Sequence, residues 1–130
     1  NLKAEGKLSK DLWITSSDDF ASWGGGDASY HTPELTELMK AVDYISMHTY
    51  PYHNTHYNPD FWKVPSTEST LPEIEKVDAA MLRARDFAKT QYENVKKYMM
   101  SIGVNKPIHI GETGWASTSD GFYGAEGSRA

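Results

Sequence analysis

The sequence predicts an α/β fold built on parallel strands. Three observations predict it. Three short apolar, β-branched runs are separated by two stretches of helical periodicity, and each run is followed by a loop rich in polar and aromatic residues. Strands that alternate with helices pair in parallel through right-handed crossovers. The loops after such strands gather at one end of the sheet, where parallel α/β folds build their sites.

The first run, Asp11-Leu12-Trp13-Ile14-Thr15-Ser16, reads as a strand. Ser17 to Asp27 follows as a loop, because the triplet Gly24-Gly25-Gly26 disfavours a stable helix or strand. Thr32-Pro33-Glu34 opens a helix, with Thr32 as N-cap and Pro33 in the first helical position. Leu35, Leu38, Met39 and Val42 form its apolar stripe. The second strand is Tyr44 to Thr49, and Pro51 ends it. A long loop runs from Tyr52 to about Ser69. Thr70-Leu71-Pro72-Glu73 has the form of a capping box. Ile74, Val77, Met81, Ala84, Ala88, Tyr92, Val95 and Met99 then recur at helical spacing, and Gly103 is the expected C-terminal stop. The third strand is Pro107 to Gly111, closed by Glu112, and the rest reads as loop.

The chain has 130 residues, a formal net charge of −5 and no cysteine. Without cysteine there are no disulfides, thiolate metal sites or cysteine nucleophiles. The acidic balance, 18 Asp and Glu against 13 Lys and Arg, argues against a nucleic-acid partner. Arg83/Arg85 and Lys96/Lys97 are the close basic pairs, and both read as a solvated helix face. No apolar run approaches the ~20 residues of a membrane span, and no signal peptide is visible.

Glu112 is the leading candidate for chemistry. A carboxylate at the C-terminal tip of a buried parallel strand is poorly explained by stability, and it is aimed at the ligand face. Nearby Trp115 offers a flat surface suited to the apolar face of a sugar ring. His48 and Tyr50 end the second strand and can hydrogen-bond a sugar hydroxyl or orient a carboxylate. They also read as an ordinary satisfied histidine and a half-buried tyrosine. His48, His53 and His56 invite a metal reading, but Pro51 and Asn54 break any helix there, so no imidazole pair shares a face, and no metal is assigned. Asp18 and Asp19 are a candidate acid pair that also fits turn and cap roles. Trp23, beside three glycines, reads as a stacking platform rather than a core residue.

These motifs carry a resemblance. Lys106-Pro107-Ile108-His109-Ile110-Gly111-Glu112-Thr113-Gly114-Trp115 resembles the nucleophile strand of family 17 glycoside hydrolases, the β-1,3-glucanases. Asp43 to Tyr52, with His48-Thr49-Tyr50-Pro51, looks like the preceding strand, and Asp11 to Ser17 with its loop fits the one before that. The similarity lies nearest the bacterial, laminarin-type members and spans about Asp11 to Trp115. It implies a (β/α)₈ barrel of which this chain supplies roughly strands five to seven with their helices. It implies retaining hydrolysis of β-1,3-glucan with Glu112 as nucleophile and no cofactor. Substrate contacts are expected from Tyr50, Trp115, Trp23, His48 and Asp18. The family's acid/base glutamate sits in an Asn-Glu pair ending the fourth strand, and this sequence contains no such dipeptide, so that residue is expected outside it. His48 stands where plant members usually carry Asn.

The expectation is thus residues 1–130 as the C-terminal part of one catalytic barrel, inactive alone, whose partners are the rest of that barrel and a β-1,3-glucan. A barrel takes ~250 residues. Transfer to a second sugar, or a non-catalytic β-glucan-binding module, are the alternative readings. The polymeric substrate implies a secreted, periplasmic or cell-surface bacterial protein.

Overall fold

The computed structural model describes residues 2–51 and 64–114. Three parallel strands form one sheet in the order β1 (Ser17–Asp19), β2 (Ile45–Thr49), β3 (Ile108–Thr113). Helix α1 (Pro33–Ala41) connects β1 to β2, and α2 (Glu73–Ser101) precedes β3. The predicted α/β class and parallel pairing are therefore present.

Along β2, side chains alternate between faces. Ile45 and Met47 are fully buried against Met39 of α1 and Val95 and Met99 of α2. Ser46 and His48 take the opposite face, away from the helices. Thr32 caps α1 by accepting from the Leu35 amide, with Pro33 first in the helix, as the sequence implied. α2 ends in a Schellman arrangement around Gly103: the Gly103 amide donates to Met100 O and the Val104 amide to Met99 O, both at 3.1 Å.

Several expectations are corrected. Asp11 to Ser16 is not a strand; pairing starts at Ser17, opposite Ser46. The reason is that side chains intercept the backbone groups a ladder would use. Asp43 Oδ2 accepts from the Ile14 amide at 2.8 Å, and Thr15 Oγ1 donates to Tyr44 O at 2.6 Å. The glycine triplet does not leave a plain loop. Residues Ala21–Gly25 form one π turn, closed by the Gly25 amide donating to Phe20 O at 2.9 Å. Gly24 sits at φ +84° against the Tyr98 ring, where an added Cβ would lie 2.1 Å from a ring carbon. Glycine is what lets this turn press onto α2.

Thr70 does not cap α2. The N-cap is Pro72, in extended conformation, with the Lys76 amide donating to its carbonyl. A residue preceding proline is pushed out of the helical region, so the helix cannot begin before Pro72. The α2 stripe is buried at Ala84, Val95 and Met99, whereas Ile74 is 67% exposed and Val77 is also exposed. Leu38 of α1 is likewise exposed. Arg83 is not simply solvated: its Nη1 donates to both Glu68 oxygens, at 2.5 and 2.6 Å. Arg85 is exposed and pairs with its neighbour Asp86. Among the described residues, no helix is long and apolar enough to cross a membrane.

Candidate active site

Strand β3 runs past Glu112 to Thr113, so the carboxylate lies within the strand rather than closing it. Strict alternation would set Glu112 on the same face as Ile108 and Ile110, towards the helices. The register prevents this. Ile110 pairs with Met47, but the next β2 residue, His48, pairs with Glu112, so Gly111 is an extra residue between them. A bulge of this kind re-aims the side chain after it. It moves Glu112 to the face of Ser46 and His48.

Gly111 is also required for space. A Cβ there would lie 2.2 Å from Ser46 Oγ and 3.4 Å from Ser17 Oγ. Below 3 Å something must shift. The bulge glycine, the two serines and the carboxylate are thus a single fitted unit.

Glu112 is half-exposed, at 54% of its side chain. Its Oε2 accepts from Tyr50 Oη at 2.8 Å. The same oxygen lies 3.5 Å from His48 Nδ1, while His48 itself is only 18% exposed. On the far side of the ring, His48 Nε2 is 2.7 Å from Ser17 Oγ, which is 3.0 Å from Ser46 Oγ. The Glu112 carboxylate holds the Tyr50 phenol above its ordinary pKa of 10.0, chiefly through their hydrogen bond and secondarily through desolvation and charge. Tyr50 therefore stays a donor across the neutral range.

The structure thus brings together Glu112, Tyr50 and His48. It treats the other sequence candidates differently. Trp23 is 1% exposed in the core, and its Nε1 donates to Ser46 O at 3.0 Å. An indole in that position offers no face to a sugar, which corrects its reading as a platform. The close approach of the glycines to α2 is what encloses it. Truncating a buried ring of this size to alanine typically costs about 3–5 kcal/mol. Asp18 is exposed on β1 and accepts from the Asp19 amide at 2.8 Å; Asp19 accepts from the Ala21 amide at 2.9 Å. Both thus do turn-type work at the start of the π turn. Trp115, His53 and His56 lie outside the described residues. Among the described residues, no group of three or more His, Asp or Glu is placed to hold a metal ion.

Sequence reasoning missed Ser17, Ser46 and the Gly111 bulge. Ser46 carried a usable signal, since it precedes His48 by two and must share its face. The bulge carried none, because Gly111 looked like the ordinary end of a strand.

No family model matches the chain, and no curated protein matches it. Among solved structures, it is similar to an endo-laminarinase from Formosa Hel1_33_131, with a TM-score of 0.89 and 61% sequence identity over 97% of this chain. The match covers 32% of that enzyme's chain, so this sequence spans about a third of its length.

Proposed function

We propose that this chain is the nucleophile-bearing part of a retaining β-1,3-glucanase that cleaves laminarin-like glucan. The observation that carries the reading is a half-exposed carboxylate near the C-terminal end of a parallel strand, with a tyrosine hydroxyl at 2.8 Å and an imidazole at 3.5 Å on one of its oxygens. The likeness to an endo-laminarinase supports the substrate class and internal cleavage. The Gly111-Glu112-Thr113-Gly114-Trp115 segment supports membership of glycoside hydrolase family 17, and with it a complete (β/α)₈ barrel around this sheet.

In this reading Glu112 attacks the anomeric carbon. The bond to the leaving glucose oxygen breaks with its electron pair, and that oxygen takes a proton from an acid outside this chain. Water then attacks the same carbon, the ester to Glu112 breaks, and the water proton returns to the same acid/base group. Retention needs the two carboxyl groups about 5–5.5 Å apart, so the acid/base residue belongs across the cleft from Glu112. Trp115 is assigned to the glucan surface, Asp18 to a sugar hydroxyl, and His48 and Tyr50 to holding Glu112. Trp23 is left out because it is buried. A polymeric substrate places the work outside the cytoplasm.

The test is laminarin cleavage by the full-length protein and by its Glu112→Gln variant. Turnover in the variant is expected to fall by about 10³-fold or more, as for loss of a covalent nucleophile. Wild-type turnover in Glu112→Gln would end the assignment. Full-length protein that bound laminarin without cutting it would favour a binding module.

A further inference from the structure

We propose that Ser17 is a positioning residue: with Ser46 behind it, its hydroxyl fixes His48 with Nδ1–H turned to Glu112 Oε2, leaving Oε1 as the attacking atom. The proposal rests on Glu112 being the nucleophile.

The direction of the chain follows from donor and acceptor capacity. An ionised carboxylate only accepts. A bare Nδ1 lone pair 3.5 Å from Glu112 Oε2 would be repelled, so the proton belongs on Nδ1. In a neutral imidazole the other nitrogen then accepts, and Ser17 Oγ at 2.7 Å is its donor. Ser17 Oγ in turn accepts from Ser46 Oγ at 3.0 Å. Every hydrogen along Ser46, Ser17 and His48 thus points towards Glu112.

Among the described residues, Tyr50 Oη donates to Glu112 Oε2 and His48 Nδ1 faces the same oxygen at 3.5 Å, so the polar side chains at the carboxylate converge on Oε2. When Oε1 bonds the anomeric carbon and the leaving glucose departs, Oε2 becomes the ester carbonyl oxygen, and the two donors remain on it. The Ser17 hydroxyl bonds Ser46 and His48 rather than Glu112, so it acts through the ring of His48. Without it, Nε2 can carry the proton and the ring can turn, which removes one donor from Oε2.

The experiment uses the full-length protein with Ser17→Ala, Ser17→Thr and Glu112→Gln. A 2-deoxy-2-fluoro laminaribiosyl fluoride reports the rate of glycosyl-enzyme formation. Ser17→Ala is expected to slow inactivation about tenfold, as loss of a group that orients the nucleophile would, at unchanged KM for laminarin. Ser17→Thr, which keeps the hydroxyl, is expected to restore the rate. Histidine-selective ¹⁵N spectra should show His48 protonated on Nδ1 in the wild type and a mixture of tautomers in Ser17→Ala. Inactivation of Ser17→Ala within twofold of wild type, or an equal loss in both Ser17 variants with an unchanged tautomer, would overturn the proposal. If Glu112→Gln stays active, the nucleophile reading itself fails; if Glu112→Gln is inactive and Ser17→Ala is not slowed, the serine relay alone fails.

Discussion

Tyr50 and Glu112 show how one hydrogen bond fixes two properties at once. The carboxylate raises the phenol's pKa, and the protonated phenol directs which carboxylate oxygen stays available. The sign of the pH dependence follows. A group whose folded pKa is raised contributes its stabilisation fully below its unfolded value, here 10.0, and loses it as pH rises through the folded value. Acidification within the neutral range leaves this donor in place. Difference ultraviolet titration against Tyr50→Phe should therefore reveal one tyrosine ionising above 10.0, and Glu112→Gln should return it towards that value. A Tyr50 that titrates identically with and without the carboxylate would contradict the contact.

At the scale of elements, the bulge in β3 decides which face receives Glu112. Gly111→Ala places a Cβ 2.2 Å from Ser46 Oγ. Overpacking of this kind costs about 1–3 kcal/mol. Removing the obstructing atom should relieve it, because Ser46 Cβ itself is an ordinary 3.5 Å away. Gly111→Ala is thus expected to lower Tm, and Gly111→Ala with Ser46→Ala to recover most of it. No recovery in the double variant would show that the glycine serves the backbone alone. The same region shows what the sequence could and could not convey. Thr32-Pro33, strand β2 and the later part of the α2 stripe (Ala84, Val95, Met99) were legible, because capping chemistry and periodicity are local. Glu112 and Tyr50 were legible as candidates near two strand ends, but their sharing one face was not, since it depends on the bulge at Gly111. The failure of the Asp11–Ser16 strand was not, since it depends on Asp43 reaching Ile14 across 29 positions. The burial of Trp23 was not either, because it depends on Gly24 and Gly25 closing against Tyr98 and Val95.

At the scale of the molecule, the apolar surface is unevenly spent. Leu12, Trp13, Ile14, Ile74, Leu82 and Ile110 are exposed among the described residues, while the core between sheet and helices is tightly closed. β1 and β3 are both edges of the described sheet, and open edges invite further pairing. The proposed barrel would cover these surfaces. The isolated 130-residue chain is accordingly expected to bind a hydrophobic dye and to aggregate, whereas the full-length protein should do neither; a soluble isolated chain with a sharp thermal transition and no dye binding would count against the barrel. The central claim, that Glu112 forms the covalent bond to glucose, is tested most directly by labelling the full-length protein with the 2-fluoro laminaribiosyl fluoride and locating the adduct by peptide mass spectrometry. The expected result is one 2-deoxy-2-fluorolaminaribiosyl ester on Glu112; an adduct on another residue, or turnover of laminarin with no adduct formed, would contradict it.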